Sequence, residues 1–183
     1  MRAFIAIDLP DAIKEELSRI QEGIKEKTKE DAKLKFVEAE NLHLTLRFLG
    51  EISAVQVNRA KEALKSIHFE KFTAQLSNAG VFPSPVYIRV VWIGLEPADK
   101  IKELQEKIES ILAKAGFEKE KRFESHVTAA RVKTIKNKEL FIKTLNAINV
   151  KPIEFPIDSF ILKKSTLTRE GPIYEDIVKF KLV

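Results

Sequence analysis

The chain has 183 residues, no Cys, and 32 Lys and Arg against 27 Asp and Glu, which gives a net charge of +5. This length can bury a core without covalent staples, and the lack of Cys excludes disulfides and thiolate metal sites. The apolar runs are too short to span a bilayer, and the first residues lack the long apolar region of a signal peptide. We therefore expect a cytoplasmic protein without membrane association, and the high charged content is typical of a thermophile.

Hydrophobic periodicity predicts an α+β chain without a flexible linker, and therefore a single domain over residues 1–183. In chain order, the patterns predict a strand at 3–8, a helix after Pro10, a strand at 43–49, a helix capped by Ser53, extended segments at 70–82 and 86–94 around a turn at 82–85, a helix after Pro97, a strand at 126–132, a helix at about 137–148, and strands at 153–163 and 174–182.

The two halves of the chain repeat the same order of elements. Each half has a strand, a helix that begins at Pro10 or Pro97, and a later strand that carries His-x-Thr. A duplicated unit of this kind can pack about a pseudo-twofold axis. We therefore expect the two His-x-Thr strands to meet at the centre of the molecule.

The His-x-Thr motifs are the strongest chemical signal in the sequence. Only three histidines occur, and two of them, His43 and His126, are followed by Thr45 and Thr128. In a strand, residues i and i+2 point to the same face. Each strand should therefore present an imidazole and a hydroxyl together. A single strand histidine is more often structural, but recurrence in equivalent halves favours a functional pair, whereas His68 should lie on the surface.

Two imidazoles on opposite sides of one phosphorus suit in-line displacement. One can deprotonate the attacking oxygen while the other protonates the leaving oxygen, because imidazole titrates near neutrality. The threonine hydroxyls can donate to the non-bridging oxygens. The histidines lack the spacing of metal ligands, so the sequence predicts a reaction that needs neither metal nor cofactor.

Three further residues are candidates for substrate binding. Arg47 is four residues after His43 and should share its strand face. Arg131 is five residues after His126, which places it on the opposite face unless a bulge intervenes. Phe82 could stack on a base. Solvent exposure of the arginines and core packing of Phe82 are the alternatives.

These motifs resemble the two-histidine phosphoesterase superfamily, and within it the group of 2'-5' RNA ligases, also called RNA 2',3'-cyclic phosphodiesterases. The resemblance covers essentially the whole chain, although Ser125 and Ala129 stand where the family commonly has Pro and Leu. Its strongest segments are residues 2–7 (RAFIAI), 41–50 (NLHLTLRFLG), 80–85 (GVFPSP), 165–167 (STL) and 171–174 (GPIY).

The resemblance implies a bilobal α+β fold, which we expect as two antiparallel sheets that face a central cleft, with helices outside. It implies hydrolysis of RNA 2',3'-cyclic phosphate ends to a 2'-phosphate and ATP-independent 2'-5' ligation at the same site. His43 would be the proton donor, His126 the acceptor, and Arg131 a phosphate ligand. The expected partners are RNA ends, with tRNA fragments as one candidate, and the expected state is a monomer.

Two alternative functions remain open at this point. One is a related two-histidine esterase that acts on a small cyclic nucleotide phosphate. The other is a non-catalytic protein that binds RNA ends. The basic excess favours an anionic partner such as RNA, but it is also compatible with a solvated lysine-rich surface.

Overall fold

The computed structural model describes residues 1–120 and 122–183. It contains nine strands and four α-helices, with a short 3-10 turn before the third strand. The elements are β1 (Arg2–Asp8), α1 (Asp11–Thr28), β2 (Ala32–Phe36), β3 (His43–Glu51), α2 (Ala54–Leu64), β4 (Phe72–Ser84), β5 (Tyr87–Glu96), α3 (Ala98–Lys114), β6 (His126–Ile135), α4 (Lys138–Asn146), β7 (Glu154–Ile157), β8 (Ser159–Leu167) and β9 (Pro172–Lys181).

The strands form one antiparallel sheet in the order β7-β4-β5-β6-β3-β1-β8-β9, and β2 pairs with β6. The α+β class is confirmed, but the expectation of two separate sheets is wrong. The reason is that β3 of the first half pairs with β6 of the second half through Leu44 and Val127. This pairing joins the two halves into one hydrogen-bonded surface.

The four predicted helices are present, and each buries one apolar stripe. In α1, for example, Ile13, Leu17, Ile20 and Ile24 are almost fully buried, as expected for an amphipathic helix on a sheet. Ser53 forms the predicted cap: its side chain accepts from the backbone N–H of Gln56, whose side chain accepts from the N–H of Ser53. No helix in 1–120 or 122–183 is long and apolar enough to cross a membrane.

Two strand predictions need correction. The sequence patterns missed β2, a five-residue strand in which only alternate residues pack against the core. The predicted strand at 153–163 is two strands, because β7 pairs with β4 near one edge of the sheet while β8 pairs with β1 near the other. In addition, Phe82 lies within β4 rather than in a turn, since the turn follows Ser84.

Candidate active site

The two motifs lie side by side at the centre of the sheet. The pairing of Leu44 with Val127 is antiparallel, so the same register sets His43 opposite Thr128 and Thr45 opposite His126. Leu44 and Val127 are fully buried in the core. Because side chains alternate along a strand, the two histidines and two threonines share the other face. The predicted meeting of the motifs is confirmed.

Both imidazoles are held in the same way. The Nδ1–H group of His43 donates to the backbone oxygen of Asn41 over 2.7 Å, and that of His126 donates to the backbone oxygen of Glu124, also over 2.7 Å. A carbonyl oxygen can only accept, so Nδ1 carries the proton in each ring. In the neutral rings Nε2 is therefore the free base. At His43 it accepts from the Thr45 hydroxyl at 3.0 Å.

Burial favours the neutral form of both rings. It lowers the pKa of His43 from 6.5 to about 4, with a further contribution from the positive charge of Lys163, while the Asn41 carbonyl opposes the shift. Burial also lowers the pKa of His126, against the effect of the Glu124 carbonyl. Both groups are therefore neutral at pH 7 in the free protein, ready to accept a proton.

Aromatic rings flank each histidine and limit its rotation. The ring centroid of His43 lies 5.0 Å from that of Phe4 and 5.2 Å from that of Tyr174. The ring of His126 lies 4.9 Å from that of Phe82 and 6.4 Å from that of Trp92. Phe82 is thus beside the site, as predicted. Phe4 is almost fully buried.

A strand bulge brings Arg131 to the face of the histidines. On β5, Trp92 pairs with Thr128 and Val91 with Ala130, so Ala129 has no partner in β5. Ala129 and Ala130 are consecutive buried residues, and Arg131 is exposed. The bulge reverses the face to which the following residues point, so Arg131 lies on the same face as the histidines. This is the bulge that the sequence required for Arg131 to reach the site.

The charge of Arg131 acts on Tyr174, whose ring contacts His43. Burial raises the pKa of Tyr174, while the positive charges of Arg131 and Arg2 act to lower it. Arg131 is therefore within electrostatic range of the ring that contacts His43.

An equivalent bulge in β3 moves Arg47 away from the site, so the prediction that it shares a face with His43 is wrong. Ile5 pairs with Arg47 and Ala6 with Thr45, which leaves Leu46 without a partner in β1. Leu46 and Arg47 are consecutive buried residues, and only 9% of Arg47 is exposed. The guanidinium points to the helix side of the sheet instead.

Arg47 there forms a buried ionic cluster with α3 and the segment after it. Its Nε contacts the Glu109 carboxylate, its Nη1 lies 3.4 Å from Glu120 Oε2, and its Nη2 donates to the Glu118 backbone oxygen. The Glu109 carboxylate also accepts from the Glu120 N–H over 3.1 Å. Arg47 therefore ties β3 to the segment that leads into His126.

The sequence patterns missed three residues near the site, namely Lys163, Asp8 and Phe48. Lys163 on β8 is held between Asp8 at 2.9 Å and Asp176 at 2.6 Å, and with Asp8 it lines a cavity of about 240 Å³ beside His43. Burial works against the charge of Lys163, but hydrogen bonds to Asp176 and Asp8 outweigh it and raise its pKa. No local motif distinguishes this lysine from the many others in the chain.

Phe48 is the third missed residue. It stands five positions after His43, as Arg131 stands five positions after His126, and both follow the bulge of their strand. Phe48 is 58% exposed, with its ring 6.2 Å from Phe4. The duplicated geometry therefore presents an aromatic ring in one half and a guanidinium in the other.

His68 is exposed, as expected. Within 1–120 and 122–183, no cluster of three or more His, Cys, Asp or Glu side chains could hold a metal ion. The two motifs and Arg131 contribute imidazoles, hydroxyls and a guanidinium, a set that suits a phosphate anion.

Comparison with known proteins agrees with this geometry. The family model described as LigT like phosphoesterase matches the chain twice, over residues 7–92 and 93–174. The RNA 2',3'-cyclic phosphodiesterase of Methanothermobacter thermautotrophicus is 37% identical, and the alignment covers 100% of this chain and 99% of the relative. The corresponding protein of Methanocaldococcus jannaschii is 40% identical, with 97% and 98% covered.

A solved structure shows the same fold. The crystal structure of Escherichia coli LigT complexed with 3'-AMP superimposes with a TM-score of 0.75 at 28% identity, and the match covers 99% of this chain and 96% of that chain. Both halves of the family pattern are present here, each with its His-x-Thr strand. The chain therefore belongs to the LigT like phosphoesterase family.

Proposed function

We propose that this protein hydrolyses RNA 2',3'-cyclic phosphate ends to a 2'-phosphate. One observation carries the proposal: two imidazoles, each with its Nδ1–H bound to a backbone carbonyl, lie on one face of two adjacent strands. This arrangement leaves two Nε2 atoms for proton transfer on either side of a phosphate. The relatives named as RNA 2',3'-cyclic phosphodiesterases over nearly the full chain support the same reaction.

In the proposed reaction, His126 Nε2 accepts a proton from water as the water oxygen attacks phosphorus. The bond between phosphorus and the 3'-oxygen breaks, and His43 donates a proton to that oxygen. His43 must first take up this proton, and the negative charge of the bound phosphate favours its uptake. The family resemblance is the basis for this order of the two histidines.

Substrate contacts complete the proposal. Thr45, Thr128 and Arg131 would hold the non-bridging oxygens, where charge develops in the transition state. Phe82 and Phe48 would offer ring faces to bases. An RNA 5'-hydroxyl in place of water would give a 2'-5' linkage without ATP. We propose that one domain, residues 1–183, acts as a cytoplasmic monomer, with tRNA fragments as candidate substrates.

The direct test is incubation of a 2',3'-cyclic-phosphate RNA with the purified protein in EDTA and without ATP. We expect hydrolysis, with the phosphate mapped to the 2' position, and a 2'-5' junction when a 5'-hydroxyl RNA is added. Activity only on a mononucleotide would favour the small-substrate esterase, and binding without turnover would favour the RNA-end binder. Activity lost on chelation and restored by one divalent ion would contradict metal independence.

The dependence of rate on pH should be bell-shaped, because one imidazole must be neutral and the other protonated. Burial lowers the pKa of both His43 and His126, so each loses its proton at lower pH than a free imidazole. The maximum of kcat/KM should therefore lie below pH 6.5, and that of kcat should lie higher because the anionic substrate favours protonation. The two apparent pKa values of this profile belong to the coupled pair of histidines and not to either residue alone. A rate that rises steadily from about pH 5 to about pH 9 would contradict the mechanism.

Removal of an oxyanion donor should lower kcat with little change in the melting temperature. Thr45→Val and Thr128→Val keep the side-chain shape but delete the hydroxyl, and a dry site loses about 2.7–4 kcal/mol for one such donor. In a cleft that is open to RNA, removal of one donor should cost about 2.7 kcal/mol or less.

The kcat of Arg131→Lys should lie between that of the wild type and that of Arg131→Ala, because lysine keeps the charge but lacks the forked donors of the guanidinium.

The matched control is Thr134→Val, further along the same strand, and steady-state kinetics are the measurement. Wild-type kinetics in Thr45→Val, Thr128→Val and Arg131→Ala would show that the phosphate does not bind between these strands.

A further inference from the structure

Three cations lead away from the phosphate position along β6 and β2. Arg131 pairs with Lys35 on β2, and Lys33 pairs with Thr134 one step further along. The backbone N–H of Val37, just after β2, donates to the oxygen of the bulged Ala129 over 3.0 Å. The strand β2 is therefore fixed directly beside the second His-x-Thr motif.

The side chains of Lys33 and Lys35 point to the same side of the sheet as the histidines. Leu34 and Phe36, which alternate with them, pack against the hydrophobic core, whereas the two lysines are exposed. Lys35 is the cross-strand partner of Arg131, which the bulge has turned to the histidine face. Directly opposed residues in a sheet share a face, so the three cations form a continuous row.

These cations have no acidic partners in the described part of the chain: no carboxylate oxygen there lies within 4 Å of Lys33, Lys35 or Arg131. Lysines on helix α1 and directly after it differ, since Lys25 pairs with Glu22 at 3.7 Å and Lys29 with Glu26 at 2.6 Å. The positive charge of the row is thus available to an external anion.

The spacing of the row suits a polyanion. Residues two apart on a strand are separated by about 6.8 Å, and opposed residues on paired strands by about 5 Å. Positive charges at such intervals are typical of proteins that follow the backbone of a single nucleic-acid strand.

We propose that Lys33 and Lys35, which continue the row from Arg131 at the cyclic phosphate, form a track for the RNA phosphates that immediately precede it. This inference rests on the proposed function. A cyclic phosphate closes the 3' end of its strand, so every other phosphate of that RNA lies on its 5' side. The strand therefore has to leave the site toward one side only, and the row of cations marks that side.

The test is a series of substrates that differ in length: a mononucleoside 2',3'-cyclic phosphate, then a dinucleotide, a trinucleotide and a pentanucleotide with the same end. For the wild type, kcat/KM should rise with the first two or three added phosphates. In Lys33→Ala/Lys35→Ala this rise should disappear, while kcat/KM for the mononucleoside should stay within about twofold. The slope of log KM against log salt for the pentanucleotide should flatten by about 0.7 for each lost contact.

The control is Lys25→Ala/Lys29→Ala, which removes the same charge from α1 and the residue that follows it. That helix lies on the opposite side of the sheet, where its Gln21 side chain donates to the Ala129 oxygen over 2.9 Å. The control should keep the wild-type length dependence. If Lys33→Ala/Lys35→Ala also keeps it, the track is wrong even though hydrolysis is intact; if no substrate in the series turns over in the wild type, it is the proposed function that fails.

Discussion

Replacement of His43 or His126 by alanine should lower kcat by about two to four orders of magnitude, the usual loss for a general acid or base. Each ring is held through Nδ1 by a backbone carbonyl, and its replacement removes the Nε2 atom that transfers the proton. The double variant should be little slower than either single variant, because the two residues act in one step.

The third histidine provides the control. His68 is exposed, and its backbone oxygen accepts from Lys107 Nζ, a contact that His68→Ala preserves. This variant should keep wild-type kinetics, and all three should keep cooperative unfolding. Near-normal turnover in either His43→Ala or His126→Ala, measured under single-turnover conditions, would refute the paired mechanism.

Loss of Arg47 should cost about 3–5 kcal/mol of folding free energy, because removal of one partner leaves the other charge buried. In Arg47→Met the carboxylate of Glu109, whose side chain is 11% exposed, loses its ionic partner. The Glu118 oxygen also loses its donor. Because the affected segment leads into His126, activity should fall even below the unfolding temperature.

Urea unfolding measures this cost, and Arg47→Met/Glu109→Leu separates its causes. The double variant removes both charges and should recover much of the lost stability. The exposed pair of Lys65 and Glu62 is the matched control, since loss of such a pair costs about 1 kcal/mol or less. A cost for Arg47→Met no greater than that of Lys65→Met would contradict the buried cluster.

The sequence by itself was sufficient to place the two His-x-Thr motifs on strands and to predict most of the elements. His43 with Thr45, and His126 with Thr128, are related by the two-residue repeat of a strand, which is a local property of the backbone. The helices follow from the spacing of their apolar residues, as in α1, and from local start signals such as Ser53. The repeat of these elements also indicated that the two motifs meet.

Only the tertiary structure decided how the strands join and which way the arginines point. The pairing of Leu44 with Val127 makes one sheet from two halves, and no local pattern specifies a contact so distant in sequence. The bulges at Leu46 and Ala129 exchange the expected faces of Arg47 and Arg131. A bulge arises where one strand has an extra residue relative to its partner, so it depends on two segments at once and cannot be read from either segment alone.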